Sequence, residues 1–381
     1  MRRLIDVGAW AYLAYGLVLI LAFGSLYLQY DAERRLRLEA LTERTHEAFE
    51  QIDHIVSLAW NEGLQMRLVA GDFYLLRGHS EARQNFLVER ALKQSRHFDG
   101  FALDQPPPPL SKDTIGNLTG DGRPLEFDES HRRELELAFL LNADFRGTAA
   151  ALPHLSRLYY TSLRGFQNLV PWVPSSVSRW RRQAVEADAF RRGLPAANPD
   201  ATPYWTDPYA NPHDAKLTVT LGVPIYEAET FRGVLAMDLA LDALSDFVHR
   251  QRSELTTALI VNDAHRLVAH PVLIDKTEAE TPHLHEVVPE SLKTAIADVR
   301  AASTGAFAAA GDHLVWSRGL DGAPWDYIVY LDSGDVVAHT IAGMTPEAIV
   351  VLLLVVSLAA VEMARRNSLA AREARDKAEA A

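Results

Sequence analysis

One carboxylate stands out in this chain because of its company. The stretch Phe231-Arg-Gly-Val-Leu-Ala-Met-Asp-Leu239 reads as an apolar strand with Asp238 near its end. Two-residue alternation puts Asp238 on the same face as Val234 and Ala236. A carboxylate so placed needs a partner, since burying it bare is strongly unfavourable. That partner is either a ligand ammonium or a group of the protein itself, a backbone amide or an Arg. Upstream, Pro203-Tyr-Trp-Thr-Asp-Pro-Tyr209 packs two Tyr, a Trp, an Asp and two Pro into seven residues. Trp205 and Tyr209 offer an ammonium aromatic faces and a hydroxyl. Tyr204, Asp207, Tyr160 and Trp172 are secondary candidates, each equally readable as core or loop packing. Thr218 and Thr220 face away from Leu217, Val219 and Leu221, toward a pocket or, more ordinarily, toward water.

Other chemistries find little support. The chain of 381 residues has no cysteine, which excludes thiol catalysis, thiolate metal sites and disulfides. Its 14 His are dispersed, and His283 and His285 have no ligand cluster beside them in sequence, so neither metal nor cofactor is expected. No nucleophile elbow, zinc-protease box or phosphate-cradling Gly loop is present. The formal net charge of −12 argues against a nucleic-acid surface. The Arg-rich run from Arg179 to Arg192 reads as a solvated helix face.

The elements that must position these residues begin and end in apolar segments. Val7 to Leu28 carries no charge and is long enough to cross a hydrocarbon core of about 30 Å. Trp10, Tyr12, Tyr27 and Tyr30 sit near its ends, as interfacial belts do. A second span, 346–364, starts at Thr345-Pro346-Glu347 and exits at Arg365 and Arg366. Basic residues flank both outer ends, so residues 1–6 and 365–381 are expected in the cytoplasm and the intervening chain outside.

Between the spans, 29–98 reads as a long helix continuing to about Val88, with Leu38, Leu41, Ala48, Ile52, Ile55 and Ala59 at three- and four-residue steps. That stripe either pairs with a second chain or packs within its own. A first α+β unit spans 99–254: a short strand near Gly100–Asp104, a helix from Glu129 to about Arg146, strands at 158–162 and 166–170, an exposed helix from Ser175 to Arg192, strands at 216–226 and 231–240, and a helix from about Asp242. A second, 255–342, repeats the plan with strands at 257–262, 267–270, 304–309, 312–317 and 325–332, and a helix near 288–301. Its last strand is expected to run almost straight into the second span.

Four motifs in this order resemble the double Cache sensor, a tandem PAS-like extracytoplasmic domain of bacterial sensor histidine kinases. They are Gly116-Asn-Leu-Thr-Gly120, Tyr159-Tyr-Thr-Ser-Leu-Arg-Gly-Phe166 ending in Pro171-Trp172, Tyr204-Trp-Thr-Asp-Pro-Tyr209, and Gly233-Val-Leu-Ala-Met-Asp-Leu239. The resemblance implies an α+β fold: a long N-terminal helix, then two antiparallel-sheet Cache domains, membrane-distal and membrane-proximal, flanked by two transmembrane helices. In amino-acid-binding members, it implies that Tyr209 and Asp238 hold a ligand amine. The Arg-x-Trp-Tyr element that holds the carboxylate there is replaced by Ala196-Ala-Asn-Pro-Asp200, leaving Arg179, Arg182 or Arg191 as substitutes. The tail Ala371–Ala380 is similar to the helix leading into a kinase dimerisation domain, so an output domain is expected beyond it.

The expected protein is a two-pass, homodimeric sensory input module of a bacterial inner membrane. It would bind a small amine or amino-acid-like ligand in the distal domain and signal through the second span to a histidine kinase. The alternatives are an input module of a diguanylate cyclase or chemoreceptor, and a membrane-tethered binding protein or hydrolase. The latter would need a convergent nucleophile–base set, which the sequence does not assemble.

Overall fold

The computed structural model describes residues 2–77, 92–95, 98–212, 214–274, 280–293, 296 and 305–379. Helix α1 runs from Arg2 to Arg77 without a proline to interrupt it. The expected continuation to Val88 lies outside the described residues. From Ala48 onward the stripe Phe49, Ile52, Val56, Ala59, Met66 and Ala70 is buried in the chain's own core. The backbone comes closest at Gly63, where a Cβ would fall 2.9 Å from Val223. A larger residue there would press on the Val223 side chain, and one of the two would have to shift.

The sheet beneath α1 has nine strands in the order β1-β2-β3-β5-β4-β9-β8-β6, with β7 also on β8. These are β1 Lys93–Gln94, β2 Phe101–Ala102, β3 Asn117–Gly120, β4 Leu155–Ser162, β5 Phe166–Val170, β6 Tyr204–Trp205, β7 Tyr209–Ala210, β8 Leu217–Glu227 and β9 Thr230–Ala240. The long β8–β9 hairpin forms its centre. β9 pairs antiparallel with β8 and, on its other side, with β4 from far earlier in the chain. Helices Glu129–Leu140 and Asn142–Ala151 replace the single helix expected to end near Arg146. They meet at Leu141, and the Asn142 side chain accepts from the Gly116 N–H at 2.7 Å.

The second sheet has five strands in the order β11-β10-β14-β13-β12: β10 Thr257–Asn262, β11 Leu267–Ala269, β12 Ala308–Ala310, β13 His313–Gly319 and β14 Trp325–Asp332. The helix expected near 288–301 is described at Glu290–Lys293. β14 does not run straight into the second apolar segment. The Asp332 side chain caps helix Ser333–Gly343 by accepting from the Gly334 N–H at 2.6 Å, and helix Thr345–Glu379 follows. The architecture is therefore α+β: a long N-terminal helix, two sheets and a long C-terminal helix, and among the described residues these two helices are long and apolar enough to cross a membrane, within Leu13–Leu76 and Ala348–Arg372. Contacts group 45–311 with 315–330, which holds most of both sheets, and 1–44 with 312–314 and 331–381.

Candidate functional site

Alternation along the strands divides the first sheet into two faces. Leu221, Val223 and Met237 meet α1 at Gly63. Val234, Ala236 and Asp238 on β9 point the other way, with Arg157, Tyr159 and Thr161 on β4 and Gln167 and Leu169 on β5. Over this second face lies the segment 175–192. Between the two is a cavity of about 670 Å³, within the size range of small-molecule sites.

The cover is not the exposed helix expected from Ser175 to Arg192. Only the single turns Gln183–Glu186 and Asp188–Arg191 are helical, and Trp180, Ala189 and Phe190 are buried. Tertiary anchors win over local propensity. The Ser175 hydroxyl, a potential helix cap, instead donates to Asp104 Oδ2 at 2.6 Å, and the Trp180 N–H donates to Thr119 Oγ1 at 2.8 Å. At the far end the Tyr204 hydroxyl donates to the Ala189 carbonyl. The Tyr204 ring can lie flat on β8 because residue 222 is glycine: a Cβ there would sit 2.3 Å from the ring.

The polar end of the cavity is built across three strands, with Arg157, Asp238 and Thr220 in one register row. Asp238 is 1% exposed. Its Oδ1 accepts from Thr220 Oγ1 at 2.8 Å and from the Tyr159 hydroxyl at 3.1 Å; Oδ2 accepts from Asn211 Nδ2 at 3.1 Å. Thr220 has a single proton and gives it to Asp238, so Tyr209 is the donor in its 2.7 Å bond to Thr220. Arg157 fixes the Asn211 amide by donating to its Oδ1 at 3.0 Å, which turns the NH₂ toward Asp238. Arg157 also pairs with Asp214 at 3.2 Å.

Burial pushes the Asp238 carboxyl up to about 6, against the pull of the Thr220 and Tyr159 hydroxyls and of nearby Arg157. Burial and the charge of Asp238 raise both Tyr159 and Tyr209, so their hydroxyls stay protonated. A carboxylate has about four acceptor positions. Three are filled by uncharged donors, and the open one is on Oδ2. A cation with an N–H suits it, with the Tyr159 and Tyr209 rings alongside.

Of the residues singled out from the sequence, Asp238 and Tyr209 line this cavity together. The other five do not. Tyr160 is one residue out of register with Tyr159, and its hydroxyl bonds Glu134 at 2.8 Å on the α1 side of the sheet. Trp172 donates to the Leu103 carbonyl and lies under Lys112. Tyr204 packs with Phe190, Phe231 and Val234 behind the wall. Trp205 and Asp207 face the second sheet: Trp205 Nε1 donates to the Gly322 carbonyl, and Asp207 accepts from Asn262. Of the three Arg candidates only Arg179 lines the cavity, joined by Arg181. Arg182 pairs with Glu186 in solvent, and Arg191 is exposed.

Sequence reasoning missed Tyr159, Asn211 and Arg157, and left Thr220 undecided. It also missed Glu134, fully buried, which accepts from the Tyr160 and Ser162 hydroxyls and lies 3.7 Å from Arg164. Burial raises its pKa, against the pull of those bonds.

Residues 176–246 match the family described as methyl-accepting chemotaxis protein-like, first PDC sensor domain. The matched stretch contains nearly all of the cover, the aromatic segment, the β8–β9 hairpin and Asp238, so this part of the chain is similar to a PDC (Cache-type) sensor domain. Comparison with curated proteins finds no match. Among solved structures, the chain is similar to the ligand-binding domain of the Pseudomonas aeruginosa PAO1 amino acid chemoreceptor PctB in complex with L-Arg. Identity is 14%, coverage 83% of this chain and 98% of that one, and the TM-score 0.38. The Pseudomonas fluorescens chemoreceptor CtaA domain with L-serine gives 18%, 50%, 75% and 0.33. The extracellular domain of the putative histidine kinase mmHK1S-Z3 gives 15%, 57%, 84% and 0.40.

Proposed function

We propose that the cavity binds a small ligand through a protonated amine, an amino acid or a simple amine, and that the chain is the sensory input module of a membrane receptor. The observation that carries this reading is Asp238: a buried carboxylate at a cavity wall, bonded among the described residues only by uncharged donors. Its ionised form lacks a bonded cation that a ligand ammonium would supply. A carboxylate on the same ligand would face Arg179 and Arg181 on the cover.

The two sheets stand as distal (99–254) and proximal (255–342) sensor domains outside the membrane, and the basic flanks at Arg2, Arg3, Arg365 and Arg366 put both ends in the cytoplasm. The protein acts as a homodimer and signals through the second span to a histidine-kinase or chemoreceptor output. Thermal-shift screening of the full chain in detergent, against amino acids, amines and carboxylates, tests the site. Amine-bearing compounds should raise the midpoint of the wild type and leave Asp238→Ala unmoved. Equal shifts in both proteins would refute it.

A further inference from the structure

The segment Pro203–Tyr209 touches both sheets at once. At its end, Tyr209 lines the cavity and donates to Thr220, which donates to Asp238. Thr220 is tied to the same segment a second time, since its N–H donates to Thr206 Oγ1 at 2.9 Å. The residues on either side of Thr206 turn away. Asp207 Oδ1 accepts from Asn262 Nδ2 at 2.9 Å at the end of β10, and its Oδ2 from Arg192 of the cover at 2.6 Å. Trp205 Nε1 donates to the Gly322 carbonyl at 2.8 Å, and its ring centroid lies 4.6 Å from that of Trp325, the first residue of β14.

The Gly322 turn in its state rests on α1. A Cβ on Gly322 would fall 2.6 Å from the Ser57 nitrogen, and the Asp321 N–H donates to Asp53 Oδ1 at 2.7 Å. A short, continuous set of directional contacts therefore leads from Asp238 through Thr220 to Thr206. From there it passes through Trp205 and Asp207 to the second sheet, and on to residues 53–57 of the long helix.

We infer that Trp205 and Asp207 form a two-point clasp that couples the state of the Asp238 cavity to the Gly322 turn. The inference rests on the cavity being the ligand site. Both are positioning residues: neither lines the cavity, yet each is one residue from Thr206, which the cavity network holds. The cover is included through Arg192, so movement of the cover reaches the same clasp. Packing by itself would make Trp205 a stability residue; coupling makes its effect conditional on Asp238.

The test is hydrogen–deuterium exchange on the full chain in nanodiscs, with no ligand added, so its outcome is independent of the thermal-shift screen. Reporters are the amides of Leu320, Asp321 and Trp325, bonded to Trp325, Asp53 and Ala323. Asp238→Asn should change their exchange by about fivefold, the effect of one hydrogen bond's worth of opening. In a Trp205→Phe background, which keeps a ring and loses the N–H, the same substitution should change their exchange clearly less. An equal change in both backgrounds, or none in the wild type, overturns the clasp. If Trp205→Phe does not fold, Asn262→Ala cuts the second point and carries the same two outcomes.

Discussion

Replacing Asp238 by Asn should stabilise the ligand-free protein at neutral pH and abolish the response to ligand. Asn is close in shape, so the comparison isolates the charge. The Asp238 carboxyl lies near 6 in the folded protein, against 3.8 as its ordinary value. Between those values the native state holds a proton that the unfolded chain has released. Stability therefore falls as pH rises from about 3.8 to about 6 and is flat with respect to this group above that. At 1.36 kcal/mol per pH unit the full loss is about 3 kcal/mol at pH 8, and about 1 kcal/mol of it is present by pH 4.5.

Asn carries no such dependence. Its NH₂ would meet the Asn211 NH₂, which Arg157 holds in place, but that cost is the same at every pH. The advantage of Asn over Asp should thus shrink by about 2 kcal/mol between pH 8 and pH 4.5. For a protein of 381 residues that is a change of roughly 2–4 °C in the difference between thermal midpoints. Differential scanning calorimetry of both proteins across this range measures it, all other titrating groups being common to the two. A difference that stays constant with pH would refute the buried, charged Asp238.

Substitutions at three further positions probe the surroundings. Tyr209→Phe removes the donor to Thr220 and should weaken ligand binding about fivefold to tenfold by calorimetric titration, with little change in fold. Gly222→Ala drives a methyl into the Tyr204 ring and should lower stability by about 1–3 kcal/mol in chemical denaturation. Glu134→Leu leaves the buried Tyr160 and Ser162 hydroxyls without their acceptor and should cost about 2–3 kcal/mol or more, whereas Glu134→Gln keeps an acceptor and should cost less.

What could be read from the residues, and what could not, divides by the range of the contacts. The β8–β9 hairpin is local, so its alternation, its turn and the face of Asp238 were legible in sequence. Its neighbour β4 is not local. Which of Tyr159 and Tyr160 faces Asp238 depends on the register in which β4 meets β9, and a one-residue slip exchanges them. Arg157 reaches the site through that same pairing, and Asn211 through the β7–β8 pairing and its bond to Arg157. The cover misled for a different reason. Its Arg, Ala and Glu content favours a helix, but Trp180 and Phe190 are buried by tertiary contacts that composition does not reveal. Trp205 looked like part of the cavity because it neighbours Tyr209 in sequence. Only the second sheet shows why its indole points elsewhere.

The central claim, an ammonium held by Asp238 inside the cavity, is tested most directly by an experimental structure of the protein with the strongest amine-bearing compound from the thermal-shift screen. The account predicts the ligand nitrogen within hydrogen-bond distance of Asp238 Oδ2, beside the Tyr159 and Tyr209 rings. A ligand bound elsewhere, or one presenting a carboxylate or an apolar group to Asp238, would contradict it.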